Sequence, residues 1–337
     1  MVSIVFKIIL ISVILALSLL IAMYATLVER KFAGFIQDRL GPDRAGKWGI
    51  LQPVADGVKL FFKEEYMPNT ADKFLYLLGP SLTMLVALLT SAVIPWGGTL
   101  VFGGKEYSLQ VASSSVDILY VFAVVSMGVY GIMIGGWASN NKYALMGAVR
   151  ASSQMISYEL AMGLSIASVI LMSGSLSFSD IVAHQHAHTW NVFYQPLAFL
   201  IFFICALAET NRSPFDLPEC EAELIGGYHT EYSAMKLGFY LFAEYINIFV
   251  SSAIMATLFF GGHLFPFADS LHLSPNMATI LGTIFLFVKI FLFMLLFMWV
   301  RWTLPRFRYD QLMRLGWKIL LPLALLNLIV TGVLTLL

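Results

Sequence analysis

Eight long apolar runs alternate with polar stretches along the chain of 337 residues. A helix needs about 20 mostly apolar residues to cross the hydrocarbon layer of a bilayer. By that measure the runs predict eight membrane-spanning helices, at residues 8–28, 74–96, 116–138, 152–173, 193–211, 236–260, 278–300 and 317–337. We therefore expect an all-α polytopic membrane protein in which residues 1–337 form a single membrane-embedded domain.

The first long loop contains a segment whose apolar residues lie on one helical face only, so this segment is not expected to cross a membrane. Within residues 50–65 the apolar residues share one helical face and the polar residues share the other: Ile50, Val54, Val58 and Phe61 against Gln52, Asp56, Lys59 and Lys63. This separation is typical of an amphipathic helix that lies along a membrane or protein surface. The sequence thus predicts one surface helix in addition to the eight spans.

Positive charge is concentrated in one alternate set of loops. Of the 20 Lys and Arg residues, 17 lie in these loops or at the adjoining span ends. Because positively charged loops stay on the inner side of a membrane, both termini are predicted to face the outer, periplasmic side.

The composition excludes several classes of function. The chain is 59% hydrophobic and 12% charged, whereas soluble domains carry about 25% charged residues. The formal net charge of zero gives no reason to expect a nucleic-acid partner. Cys205 and Cys220 cannot supply four ligands to an iron–sulfur cluster, and no G-x-G-x-x-G or P-loop pattern is present. No metal site is predicted either, because His184, His186 and His188 are expected in a solvated outer loop.

Three carboxylates lie inside the predicted spans, at Glu159, Glu209 and Glu244. An ionisable group at the centre of a bilayer costs about 2.5–3.5 kcal/mol on the insertion scale, so such residues point to function. All three are expected in the inner half of the membrane, where they would form a proton relay or make structural pairs. Glu209 is expected to pair with Arg212, three residues later on the same helical face.

Two further ionisable residues fall within the spans. Asp117 is expected to reach the outer membrane surface, because it begins its span. Lys289 lies deep in an apolar run, and the expected arrangement is a pair with a carboxylate.

The loop after the fifth span is unusually acidic for the inner side. It carries Glu219, Glu221 and Glu223 at alternate positions, after two prolines and an aromatic residue. These features favour a folded loop with a partner or a ligand path over an ordinary solvated loop.

Five segments together resemble one known family. They are Glu29-Arg30-Lys31 with Gly41-Pro42-Asp43-Arg44, residues 136–143, Ser157-Tyr158-Glu159, Ser213-Pro214-Phe215-Asp216, and residues 305–311. The family is that of the junction membrane subunit of respiratory complex I, the proton-pumping NADH:quinone oxidoreductase, which bacteria and mitochondria share. The resemblance covers nearly the whole chain and is weakest in the outer loops.

The resemblance implies a fold of eight transmembrane helices with a surface helix, which together form much of a quinone chamber. By match of motif, the chamber residues would be Glu29, Arg30, Asp56, Lys59, Phe215 and Arg301. The implied proton path comprises Glu219, Glu221 and Glu223, followed by Glu209, Glu159 and Glu244. Arg212 and Asp216 would support the loop, and no catalytic residue would belong to this chain alone.

The resemblance also implies the substrate and the partners. Ubiquinone or menaquinone would be the substrate, while NAD, FMN and the iron–sulfur clusters would be bound by partner subunits. Those partners are peripheral-arm subunits, small membrane subunits and antiporter-like subunits, and membrane lipid would surround the chain. The expected location is the bacterial cell inner membrane, with the mitochondrial inner membrane as the alternative.

Two other functions remain open on the sequence. A related junction subunit occurs in membrane-bound hydrogenases and formate hydrogenlyases. A stand-alone cation/proton transporter would also need membrane carboxylates, but it usually has paired halves with broken helices, and no such halves are visible here.

Overall fold

The computed structural model describes residues 2–217, 224–265 and 274–336. Three members of the predicted acidic path, Glu219, Glu221 and Glu223, lie outside the described residues, as does Cys220.

The described chain is built from helices, which confirms the predicted all-α polytopic membrane protein. Within these ranges, seven helical segments are long and apolar enough to cross a membrane. In chain order the helices are α1 (Val2–Ile36), α2 (Gln52–Phe62), α3 (Lys73–Thr90), α4 (Asp117–Ala138), α5 (Lys142–Ser173), α6 (Phe178–Ala187), α7 (Asn191–Tyr194), α8 (Pro196–Glu209), α9 (Ala234–Phe259), α10 (Pro275–Thr303), α11 (Tyr309–Leu315) and α12 (Leu321–Leu336). A π-helical turn, Gly316–Leu320, joins α11 to α12 and makes one continuous apolar segment.

The predicted span at 193–211 corresponds to α8, which has only 14 residues. At 1.5 Å per residue it is about 21 Å long, shorter than a hydrocarbon layer of about 30 Å. The count of eight spans therefore stays a prediction.

The surface helix expected at 50–65 is present as α2, which begins at Gln52 with Pro53 in its first turn. Proline is favoured there because the first helical N–H groups have no intrahelical acceptor. Val54, Val58 and Phe61 are exposed on this helix, as a face turned to a membrane or a partner requires.

The loops collect on two sides of the bundle. The basic side comprises residues 37–72, 139–141, 210–217, 224–233 and 304–308, together with the helix ends that adjoin them. Its loops contact one another: the Asn141 amide donates to Glu231 Oε1 at 2.6 Å. The hairpin side comprises residues 91–116, 174–195 and 260–265. It includes a short antiparallel pair of strands, β1 (Thr99–Phe102) and β2 (Lys105–Ser108), which the hydropathy pattern did not predict.

Two expectations about the hairpin side are wrong. His184 and His186 lie on α6 and not in a loop. Asp117 does not reach a surface, because it is fully buried and its carboxylate accepts hydrogen bonds from the backbone. The backbone donors are the N–H groups of Ser114 at 2.9 Å and Phe178 at 3.2 Å, and these bonds tie the start of α4 to the start of α6. The side-chain amide of Gln110 also donates to this carboxylate, at 3.2 Å.

Glycines let α3 and α4 approach closely. A Cβ atom added at Gly79 would lie 2.9 Å from the Cα atom of Gly135, which is closer than real Cβ contacts come. The close crossing places α9 against both helices, and the Tyr240 hydroxyl on α9 donates to the Gly131 carbonyl at 3.3 Å. This packing sets the position of the acidic residues on α9.

Candidate functional site

Glu29 is the centre of a buried charged cluster on the basic side. It lies near the end of α1, is 3% exposed, and forms an ion pair with Arg301 of α10. The Arg212 guanidinium lies 3.3 Å from Glu29 Oε2, and the Tyr245 hydroxyl of α9 donates to the same oxygen at 2.8 Å. One carboxylate therefore joins three helices and a loop. A buried carboxylate requires such partners, because an unpaired charge in a protein interior is costly.

Arg212 connects this cluster to the acidic residues deeper in the bundle. Its second terminal nitrogen lies 3.7 Å from Glu244 Oε2, and its guanidinium carbon lies 4.3 Å from the centre of the Tyr245 ring. Burial alone would lower the pKa of Arg212. The electrostatic interactions with Tyr245, Glu29 and Glu244 act in the opposite direction and raise the pKa of Arg212 above its ordinary value. Arg212 is therefore a cation shared between two carboxylates.

The expected pair between Glu209 and Arg212 is wrong. Helix α8 ends at Glu209, and Asn211 has a φ of 49°, which turns the chain out of helical spacing. Arg212 consequently points to Glu29 and Glu244. Among the described residues, Glu209 Oε2 is buried without a hydrogen-bond partner.

Glu209 and Glu244 line the same internal cavity, of about 70 Å³, between α3, α4, α5, α8 and α9. The Tyr228 hydroxyl also lines this space and donates to Glu244 Oε1 at 3.3 Å. A buried water needs about 10–15 Å³ of such volume and two to four polar partners, so the cavity has room for several waters. Two predicted path residues thus face one cavity, whose lining is mainly apolar.

Glu159, the third of these carboxylates, lies on α5. It accepts a hydrogen bond from the Ser126 hydroxyl of α4 and interacts electrostatically with Glu209. The three intramembrane carboxylates therefore belong to one region of the bundle.

A second group of predicted chamber residues lies at the start of the surface helix. Arg30 Nη1 is 2.6 Å from Asp56 Oδ2, and the Gln52 side chain donates to the other Asp56 oxygen at 2.9 Å. Lys59 follows on the same helix and is exposed. About half of the Arg30 side chain is exposed, so this pair contributes at most about 1 kcal/mol.

Phe215 and Asp216 fix the first part of the acidic loop. The buried Phe215 ring lies 5.5 Å from the Tyr158 ring and 5.6 Å from the Phe307 ring, measured between centroids. Asp216 pairs with Arg306 at 2.6 Å. These contacts hold the loop after α8 against the loop before α11.

The family model described as NADH dehydrogenase matches residues 8–332. This chain belongs to that family. Among curated relatives, it is 62% identical over 326 residues to the H 1 subunit of the NADH-quinone oxidoreductase of Cytophaga hutchinsonii, covering 97% of this chain and 95% of that protein. It is 62% identical over 329 residues to the corresponding NADH-quinone oxidoreductase chain of Flavobacterium psychrophilum, covering 97% and 96%. It is also 49% identical to that of Geobacter metallireducens, covering 94% and 91%.

The comparisons confirm the resemblance seen in the sequence, and together with the long apolar helices they identify an integral membrane protein of the NADH dehydrogenase family. They do not assign individual residues, and the predicted site residues stay predictions.

Sequence reasoning missed two residues of this candidate site. Gln154 of α5 donates to the backbone carbonyls of Ala208 at 2.8 Å and Phe215 at 2.7 Å, so it holds both ends of the turn that presents Arg212. Tyr245 contacts both Glu29 and Arg212. Gln154 carried a usable signal, since an amide in an apolar span needs partners, whereas Tyr245 was one aromatic residue among many.

Proposed function

We propose that this chain is the membrane subunit of a proton-translocating NADH:quinone oxidoreductase, in which it forms much of the quinone chamber and links that chamber to an acidic proton path. The observation that carries the proposal is the position of Arg212, which lies within ion-pair distance of both Glu29 and Glu244. Glu29 is a predicted chamber residue and Glu244 a predicted path residue. The names of the relatives support the quinone enzyme over the hydrogenase alternative.

The chemistry of quinone reduction suits this arrangement. A quinone that takes up two electrons and two protons develops negative charge beside the groups that bind it. In a surrounding of low dielectric constant, such a charge acts strongly over several ångströms. The guanidinium groups of Arg212 and Arg301 would move toward it, so the neutralisation of Glu244 would depend on the redox state of the quinone.

The path proposed for protons starts from the basic side. Glu219, Glu221 and Glu223 would receive protons in the loop, and Glu209, Glu159 and Glu244 would continue the path inside the bundle. The cavity shared by Glu209 and Glu244 supports this order, because waters within it would bridge carboxylates that do not touch.

The proposed chamber residues are Glu29, Arg30, Asp56, Lys59, Phe215 and Arg301, with Arg212 and Asp216 as support. The chain itself has two cysteines, so the iron–sulfur clusters, together with FMN and the NAD site, belong to partner subunits in this proposal. Those partners are the peripheral-arm, small membrane and antiporter-like subunits. The assembly would lie in a bacterial inner membrane with both termini of this chain on the periplasmic side.

The test replaces Glu209 by Gln in membranes of the source organism, after assembly of the complex has been confirmed. NADH:quinone reductase is compared with NADH:ferricyanide reductase, which bypasses the membrane part. We expect loss of the quinone activity with the ferricyanide activity intact. Glu106→Gln is the matched control, because Glu106 is exposed on β2 and should leave both activities unchanged. Wild-type quinone reductase in Glu209→Gln would contradict the proposed path.

A further inference from the structure

Helix α9 ends partway along its neighbour α10. The last residue of α9 is Phe259, and the chain just beyond it contacts Lys289, which is 14 residues into α10. At 1.5 Å per residue, this contact lies about 21 Å from the start of α10. The last carbonyl groups of α9 are therefore surrounded by protein. Such groups have no partner within their own helix and need donors from elsewhere.

Three polar side chains supply those donors. Gln185 Nε2 donates to the Thr257 carbonyl at 2.9 Å, and Asn191 Nδ2 donates to the Leu258 carbonyl at 2.7 Å. Lys289 Nζ donates to two carbonyls that follow, those of residue 260 at 2.6 Å and residue 262 at 2.8 Å. The carbonyl groups at and just beyond the end of α9 thus accept hydrogen bonds from two side-chain amides and one ammonium group.

The Lys289 ammonium lies in a compartment suited to a positive charge. The side chain is buried, since only 7% of the residue is exposed. Its nitrogen lies 4.4 Å from the ring centre of Phe285 and 5.1 Å from that of Trp190, distances at which aromatic faces attract cations. The carboxyl end of a helix also carries partial negative charge. The expected pairing of Lys289 with a carboxylate is wrong within the described part of the chain, because its donors go to carbonyl groups.

A neighbouring histidine adds no second charge. Burial, and then the nearby Lys289 cation, lower the pKa of His263 to about 4, so its imidazole is neutral at pH 7. The position of Lys289 is therefore a site for one cation.

We propose that Lys289 is a tethered cation that closes the end of α9, and that the space filled by its side chain is a site for a small primary ammonium ion. A primary ammonium has N–H groups for both carbonyls and a charge for the aromatic faces. A quaternary ammonium has the charge but no N–H group, so it cannot replace the lysine. This inference concerns the stability of the fold and does not depend on the proposed path.

The test truncates Lys289 to Ala, which removes the atoms of a propylammonium ion. The complex is extracted from membranes and heated, and the fraction of this chain that remains in soluble complex is measured. We expect the midpoint temperature to fall by at least about 4 °C. Propylammonium should restore at least half of that fall, whereas tetramethylammonium at the same concentration should restore none. The wild type should respond to neither ion.

Val288→Ala is the matched control, because Val288 is the preceding residue of α10 and is largely exposed. The proposal is overturned if Lys289→Ala is as heat-stable as the wild type, if propylammonium restores nothing, or if both ions restore stability equally. If Lys289→Ala does not assemble, Lys289→Arg and Lys289→Met are compared. The charged variant should assemble and the apolar one should not, and equal amounts of the two, or failure of both, would overturn the proposal.

Discussion

The two sides of the bundle hold their buried charges in different ways. On the basic side, Glu29, Arg212, Arg301 and Glu244 pair with one another. On the hairpin side, Asp117 and Lys289 bind mainly backbone N–H and carbonyl groups, and Asp117 also accepts a hydrogen bond from the neutral Gln110 amide. Backbone groups are held in place by the packed chain that carries them, whereas charged side chains can change rotamer and exchange partners. An added charge can therefore rearrange the basic side, while the hairpin side keeps its shape.

This comparison separates activity from stability. Substitutions in the basic-side cluster should change quinone reductase activity as well as stability, whereas substitutions of the hairpin-side charges should change resistance to heat alone. A variant that shows the opposite effect would contradict this difference between the two sides.

The largest effect is expected for Arg212→Met. Removing one partner of a buried ion pair costs about 3–5 kcal/mol, because the remaining charges lose their compensation. Glu244 would lose the cation 3.7 Å away, and among the described residues Glu29 would keep Arg301 and the Tyr245 hydroxyl as partners. We expect NADH:quinone reductase to fall at least tenfold while NADH:ferricyanide reductase is unchanged.

Arg212→Lys sharpens the same prediction. Lysine keeps the positive charge but is a single point of charge, so it cannot span two carboxylates as a guanidinium does. Quinone reductase should be intermediate between the wild type and Arg212→Met. Equal activities in all three proteins would rule out a coupling role for Arg212.

A smaller effect, on stability, is expected for Asp117→Asn. The amide has one acceptor oxygen in place of two, so at least one of the three donors to Asp117, the N–H groups of Ser114 and Phe178 and the Gln110 amide, loses its acceptor. An unsatisfied buried donor costs about 1–3 kcal/mol. We expect a lower midpoint temperature in the heating assay and unchanged quinone reductase at 25 °C. Asp180→Asn, at an exposed position on α6, is the control and should change neither quantity. A loss of activity without a loss of heat resistance would contradict the comparison.

The sequence was sufficient for the parts of the fold that depend on hydrophobic length and period. The long spans and the surface helix follow from counts of apolar residues, and the described helices agree with the surface helix and with seven of the eight spans. The motif resemblance likewise named Glu29, Arg301 and Arg212 as functional residues, although no pattern places residues 29 and 301 next to each other.

The errors arose where a partner depends on tertiary structure. The pairing of Glu209 with Arg212 assumed that the helix continues, but Asn211 adopts a left-handed conformation and turns the guanidinium away. A carboxylate partner was expected for Lys289 because acidic residues can be identified directly in a sequence. Free carbonyl groups at the end of another helix carry no signal in the sequence.

The smallest effect is expected for Arg30→Gln at the edge of the basic side. Arg30 pairs with Asp56 on α2, but half of its side chain is exposed, so solvent already screens the interaction. The stability of the assembled complex should change by no more than about 1 kcal/mol, and the change should shrink as salt is raised. If the proposed chamber includes Arg30, the KM for quinone should rise a few-fold with kcat nearly constant, because the substitution leaves the buried Glu29 cluster intact. Asp43→Asn, at an exposed position in the loop that follows α1, is the control. A fall in kcat as large as that of Arg212→Met would show that the exposed pair and the buried cluster act as one unit, and the distinction between them would have to be abandoned.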